Sequence, residues 1–402
     1  MTGSDTATDG LPNGVNARGG GPLAGVRILE IGGVGPGPFA CMLLADLGAE
    51  VVRIDRPAGY DGGAPVDPRF NLLQRGRRSI ALDLKSPEAT AAVLRLVREA
   101  DIVVEGFRPG VAERLGLGPD ACLEANPAVV YGRMTGWGQD GPMATEPGHD
   151  INYISLTGVL HAVGSKDGPP VPPLNFGGDF GGGALYLVMG VLAAYIESRR
   201  SGHGQVVDAA MVDGSASLMT LFYGLLASGY WRDERGVNRL DSGAPWYGVY
   251  RTADDRWLSI GSNETRFWNN ALQVLGLDGE DLPDQHDQSG WPTLRRLLEE
   301  RIRTRTRDEW VALAAGRDAC LTPVLSMSEA PGHPHLRARG TFVEVEGIAQ
   351  PAPAPRFSRT PGAIRNAPPV PGSDTDAVLA DWGFAAEEIA ALRDGGAIHR
   401  HK

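Results

Sequence analysis

Cysteine is scarce in this chain: Cys41, Cys122 and Cys320 are the only three among 402 residues. They lie far apart and match no disulfide or metal-ligand spacing, so a reducing, cytoplasmic setting is expected and no metal site is. Long apolar runs are lacking too. No run of 18 or more uninterrupted apolar residues, as a membrane-crossing helix would show, occurs, and no membrane span is expected. Residues 1–20, MTGSDTATDGLPNGVNARGG, hold no apolar stretch of the kind a signal peptide carries and read as a disordered tail. Positive charge is in deficit, with 38 Lys and Arg against 49 Asp and Glu, a net −11. That balance disfavours nucleic acid as a partner, because phosphate backbones require concentrated basic surface.

What is present is a large apolar complement, 42% of residues, in a chain too long for one small core. Two domains are expected. A strand at Val26–Ile31, a glycine-rich turn, a helix over Phe39–Leu47 and a strand at Val51–Ile54 make a β-turn-α-β unit. Strands at Ser79–Leu84, Ile102–Glu105 and Val129–Thr135, with a helix at Ser86–Glu99 opened by Ser-Pro, continue the rhythm. Such alternation implies an α/β domain, a parallel sheet with helices on its faces. ALYLVMGVLAAYIESRR, after Gly183, reads as a strongly apolar helix. Past about residue 235 the pattern changes. APWYGVYRTADDRWLSIGS reads as an antiparallel hairpin, and helices near Arg266–Leu275 and Trp291–Arg303 complete a smaller α+β domain. The proline-rich QPAPAPRFSRTPGAIRNAPPVPG is expected to run irregularly over the surface, ahead of a last helix near Ala385–Arg393. These elements set a large domain at 21–210, a linker helix at 211–237, a small domain at 238–313, a linker at 314–340 and a return to the large domain over 341–402.

GGVGPGPFA, with Asp55 about twenty residues on, invites a dinucleotide site. The spacing fails, since the third glycine position holds Pro38, and Pro36 and Pro38 lack the amides a pyrophosphate would use. Basic residues nevertheless gather near the strand ends: Arg53, Arg56, Arg75, Arg77, Arg78, Lys85, Arg108 and Arg114. Each alone reads as solvated surface charge. Grouped beyond the carboxyl ends of parallel strands, they suit a multiply anionic, nucleotide-bearing ligand.

Two residues stand out for chemistry. In EPGHDINYIS, His149 lies beside Asp150 ahead of a strand-like run, where an ordinary loop histidine would also fit. Asp179, between Gly178 and Phe180, sits at the start of a helix, where its plain role is an N-cap. The functional reading uses the same place. A helix amino terminus stabilises a carboxylate, and the neighbouring glycines let a ligand approach the backbone.

GPGPFACMLLADLGAEVVRIDRP, EGFRPGVAERLGLGP, GRMTGWGQDGP, GHDINYISLTGVLHAVG, GDFGGGALYLVMGVLAA and GQVVDAAMVDG closely resemble the family III CoA transferases of the CaiB/BaiF superfamily. Within that family they resemble best the branch that racemises α-methylacyl-CoA thioesters, over roughly residues 21 to 385. The resemblance implies a Rossmann-like large domain plus a smaller domain. It also implies two chains interlocked as a homodimer, with the active site where one chain's large domain meets the other's small domain. It implies an acid–base pair at His149 and Asp179, assisted by Glu264 of GSNETRF. Coenzyme A contacts are implied at Arg56, Leu82, Asp83, Leu84, Lys85, Gly106, Phe107, Arg108, Arg114, Gly148, Asp150 and Tyr153.

In the implied reaction one base removes the α-proton of a thioester and the other returns a proton to the opposite face. Histidine titrates near neutrality and serves in either direction. Asp179 must carry a proton for half of the cycle, which requires its pKa to rise in a dry site. The thioester supplies the enolate, so no metal or organic cofactor is required, and coenzyme A is part of the substrate. Asp150 is expected to hold the ligand or the neighbouring loop. In related transferases the matching aspartate is a nucleophile, which makes acyl-CoA:carboxylate CoA transfer the alternative. The insert around Tyr60–Pro68 and the residue Phe39 depart from the family pattern.

Overall fold

The computed structural model describes residues 20–57 and 67–398. The expected tail through residue 19 and the centre of the insert, 60–66, lie outside the described residues. Six strands, β1 (Arg27–Ile31), β2 (Glu50–Asp55), β3 (Arg78–Ala81), β4 (Ile102–Glu105), β5 (Val130–Thr135) and β6 (Val206–Ala210), form a parallel sheet ordered β3-β2-β1-β4-β5-β6. Such a sheet is covered on both faces, which is why its strands are nearly continuous apolar runs. On one face Leu29, Val52, Ile80 and Val103 pack with Val93 and Leu96 of the helix Pro87–Arg98 and with Val378 and Trp382 from the end of the chain. On the other, Ile28, Val51, Ile102 and Val130 pack with Leu44 of the helix Pro36–Asp46 and with Leu187 and Val191 of the helix Leu185–Ser201. Helix 87–98 starts where Ser-Pro predicts: the Ser86 side chain accepts the Ala89 amide. Strand order reverses between β1 and β4, and open α/β sheets bind ligands in the crevice beyond the strand ends at such a switch.

Among the described residues one helical stretch, Phe176–Ser201, is long and apolar enough to cross a bilayer by length and composition. In the fold Leu187, Val191 and Ala194 are buried, whereas Leu185, Met189 and Ile196 are exposed.

Residues 158–173 and 219–333 form a second, smaller compact unit. Its antiparallel strands are β7 (Tyr247–Arg251), β8 (Trp257–Gly261) and β9 (Leu321–Val324), ordered β7-β8-β9. Trp246, Trp268, Leu294 and Trp310 lie in its core. Sequence reading sets the small domain at 238–313 and leaves 158–173 in the large one, and the structure corrects both. The first difference arises because β9 adds to β8 as a third strand past residue 313. Arg235 explains the second, because its guanidinium donates to the carbonyls of His161 (2.7 Å), Ser165 (3.2 Å) and Gly168 (2.7 Å).

The chain rejoins the larger unit at Pro334. There β10 (Phe342–Val345) pairs with β11 (Ile348–Pro351), so the proline-rich stretch begins inside a strand. Nor does it stay on the surface. Ile364 is fully buried, the Ala363 amide donates to the Asp46 carbonyl (2.9 Å), and Asn366 Nδ2 donates to the Arg77 carbonyl (2.8 Å). The residues between the prolines keep donors, and these fasten the segment down.

Candidate functional site

The carboxyl ends of the two central strands, β1 and β4, each lead into a turn. The turn after β1 meets the turn after β4, since a Cβ placed on Gly32 would lie 3.6 Å from the Phe107 ring. Gly106–Arg108 is held from below: the Phe107 amide donates to Glu105 (2.6 Å), and Arg133 bridges Glu105 (2.9 Å) and Glu113 (2.8 Å). Burial raises the Glu105 pKa, against the pull of the Phe107 amide and Arg133. Sequence reasoning does not single out Glu105 or Arg133, although charges closing otherwise apolar strands are the available signal.

The basic group divides in two. Arg56, Lys85, Arg108 and Arg114 are exposed and enter no ion pair among the described residues. Arg53, Arg75, Arg77 and Arg78 are spent inside the fold, on Glu30 and Asp55, on Asp46, on Glu30, and on Glu50 and Asp381 respectively. The expectation that all eight face an anion is therefore corrected. Three of the four flank or open β3 at its amino end and meet carboxylates of β1, β2 and the helix 36–46, while Arg53 points into the sheet's own acids. Asp83, Leu84 and Lys85 follow β3, but the Leu82 side chain is fully buried in the core.

Asp179 is not an N-cap. Phe176–Ala184 forms π-helical turns running into the helix 185–201, with Asn175 at the cap position; such turns recur at functional sites. Asp150 Oδ2 accepts the amides of both Gly178 and Asp179, each at 2.7 Å, so Asp150 fixes this loop. Side chains cannot replace the glycines here. A Cβ on Gly178 would lie 2.6 Å from Asp150 Oδ2, and one on Gly182 2.5 Å from Ser215 Oγ. The glycines serve close packing of the π-turns on neighbouring helices, a correction to their reading as room for ligand. Asp150→Ala strands two amides, one of them on buried Gly178, and is expected to cost about 3 kcal/mol of stability. The denaturant midpoint should fall with an unchanged slope.

Gly35, the N-cap of helix 36–46, has φ +66°, and its Cβ position lies 3.2 Å from Asp179 Oδ2. The turn that suggested a dinucleotide site therefore abuts a protein carboxylate. Burial raises the Asp179 pKa; the Asn175 amide (3.1 Å) opposes this, neighbouring Asp150 adds to it, and His149 opposes it.

His149 is exposed and precedes a helix, Asp150–Leu156, where sequence reading expects a strand-like run. Its amide donates to Asn152 Oδ1 (3.1 Å), and this N-terminal capping interaction starts the helix. Tyr153 is buried edge-on to Trp137, ring centres 4.8 Å apart, and its hydroxyl donates to the Gly148 carbonyl. Burial and then Asp179 push the Tyr153 phenol up to about 12, with Arg108 pulling it down. His149, Asp150, Tyr153, Asp179 and Arg108 thus share one electrostatic neighbourhood. Glu264 belongs to the smaller unit, exposed at the N-cap of the helix Thr265–Leu275. Among the described residues no three His, Cys, Asp or Glu side chains gather to hold a metal ion.

Four exposed cations without ion pairs among the described residues, at the strand ends of a doubly wound sheet and on the same unit as a partly buried carboxyl group and a histidine, suit an enzyme of acyl-CoA thioesters. The chain belongs to CoA-transferase family III, whose model matches residues 23–375. It is 42% identical over 383 residues to the α-methylacyl-CoA racemase of Mus musculus, covering 94% of this chain and 98% of that one. The α-methylacyl-CoA racemase of Homo sapiens is 39% identical with the same coverage. A crystal structure of a CaiB/BaiF family protein from Brucella suis superimposes with a TM-score of 0.80 at 26% identity, covering 90% of this chain and all of that one.

Proposed function

We infer that this chain is an isomerase that interconverts (2R)- and (2S)-2-methylacyl-CoA thioesters by 1,1-proton transfer through an enolate. His149 acts on the (2S) epimer and Asp179 on the (2R) epimer. One observation carries the reading: Asp179 is biased by burial toward its protonated form while an imidazole lies within its electrostatic reach. A nucleophile that attacks as the carboxylate has no use for that bias, whereas a proton donor does.

Exposed Arg56, Lys85, Arg108 and Arg114 would meet the phosphates of coenzyme A. The thioester carbonyl delocalises the carbanion, so neither metal nor organic cofactor enters the proposal. Glu264 enters it as the group assisting the histidine. A homodimer is proposed because Leu185, Met189 and Ile196 leave an apolar stripe along one helix exposed. A cytoplasmic location fits two buried, unpaired thiols, Cys41 and Cys122.

The test is incubation of the protein with a 2-methylacyl-CoA in deuterated water, without an acceptor acid. Uptake of one deuterium at C2 with loss of optical purity is expected. No α-exchange in that incubation, with CoA transfer appearing once a carboxylic acid acceptor is added, would establish the alternative, with Asp179 as nucleophile.

A further inference from the structure

A buried charge network lies under the turn that abuts Asp179, and the proton-transfer reading leaves it unused. Glu30, on β1, is fully buried; its Oε1 accepts from Arg53 Nη1 (2.7 Å), and its Oε2 lies 2.8 Å from Arg77 Nε. Arg53, on β2, also donates to Asp55 Oδ1 (2.8 Å) and to the Gly33 carbonyl (3.1 Å). Arg77, whose side chain has no exposure, donates to the Pro38 carbonyl and to Gln74 Oε1 (2.7 Å). Two guanidiniums anchored on one carboxylate therefore grip both ends of Gly33–Pro38. Between the grips sits Gly35, at φ +66° and 3.2 Å from Asp179 Oδ2 by its Cβ position. Buried charges such as Glu30 and Arg77 are a poor route to stability alone, since apolar groups of like volume commonly do as well. What the ions add is direction, because each arginine reaches a main-chain oxygen at a chosen point of the turn.

We propose that Glu30, Arg53 and Arg77 are positioning residues, a clamp that fixes the Gly33–Pro38 turn against the Asp179 carboxyl and so sets that group's place for proton transfer. The proposal rests on Asp179 being a proton-transfer group. Arg53→Lys keeps a charge for Glu30 but lacks the fork that spans Glu30, Asp55 and Gly33 together. Gly35→Ala, should Arg53→Lys fold poorly, acts on the same contact by placing a methyl against the carboxylate at a positive φ. Arg75→Lys is the matched control. Its buried pair with Asp46 (2.6 Å) braces the same unit, and Arg75 bonds Gln350 and Pro351 in place of the turn.

The measurements are kcat, KM and the pH profile of α-deuterium exchange on the folded full chain, with the melting midpoint alongside. Arg53→Lys and Gly35→Ala should lower kcat on the order of 10²-fold with KM unchanged, as small misplacements of a reacting group do, and should move the pH profile. Arg75→Lys should lower the melting midpoint and leave kcat alone. Wild-type kcat and pH profile in both turn variants, with melting shifts like that of Arg75→Lys, would overturn the clamp. Absence of α-exchange in the wild-type protein would instead sink the racemase reading. The clamp would then be judged by the same variant ratios on CoA transfer to a carboxylate acceptor, the other chemistry open to Asp179.

Discussion

His149→Gln is expected to lower interconversion of the two epimers by roughly 10²- to 10⁴-fold, the range a positioned acid–base group supplies. In deuterated water it should still permit exchange of the C2 hydrogen from the (2R) thioester. The asymmetry follows from two bases acting on opposite faces. With the imidazole gone, Asp179 can remove the (2R) proton, trade it with solvent and return deuterium to the same face, giving labelled substrate of unchanged configuration. The (2S) proton has no acceptor left. Because His149 is exposed and its main-chain amide and carbonyl, which the substitution keeps, bond Asn152, the melting midpoint should stay near that of the wild type. Chiral analysis and mass spectrometry of each recovered epimer read the two processes separately. Equal loss of exchange from both epimers, or inversion at the wild-type rate, would remove His149 from the (2S) role.

Much of the sheet is legible in the sequence because its signals are local. Ile102–Glu105 is a strand with the bounds that its apolar run suggests, and Ser86-Pro87 starts a helix through a side-chain cap any reader of turns would expect. The hairpin around Ala253-Asp254-Asp255 follows from alternation on either side of a turn. What escapes is decided by contacts between distant residues. Arg53, Arg75, Arg77 and Arg78 look like ligand cations because a list of positions does not show Glu30, Asp46 or Asp381 waiting beside them. Gly182 and Gly183 look like room for substrate because the helix Met211–Leu218 that packs on them comes later in the chain. The run after His149 looks extended since isoleucine and tyrosine favour strands, yet the cap through Asn152 and burial of Tyr153 and Ile154 make it a helix. Asp179 is visible as a candidate from its setting among glycines. Its desolvation, by contrast, depends on Gly35 arriving from β1, and nothing near position 179 announces that.

Asp179→Asn should separate chemistry from stability. The amide cannot exchange a proton with carbon, so epimer interconversion should again fall roughly 10²- to 10⁴-fold. This variant should retain exchange from the (2S) thioester and lose it from the (2R), the mirror image of His149→Gln. Under the transferase alternative the same change removes the nucleophile, and no label enters either epimer before or after substitution. Stability should move the other way. Burial raises the Asp179 pKa in the fold against the help of Asn175 and His149, so the native state binds this proton more tightly than the unfolded chain does. The stabilisation this confers is fully present below the ordinary aspartate pKa of about 3.9. It is lost as pH rises through the higher folded value. At neutral pH the wild-type protein therefore folds around a carboxylate that its site disfavours, whereas a neutral amide of the same shape escapes that penalty and keeps an oxygen for Asn175 Nδ2. The melting midpoint of Asp179→Asn should exceed that of the wild type at pH 7, with the gap closing as the pH falls toward 4. A wild-type protein that melts higher at pH 7 would mean that donors to the ionised group outweigh its burial. Asp179 would then be held as a carboxylate, suited to attack on a thioester and unsuited to delivering a proton.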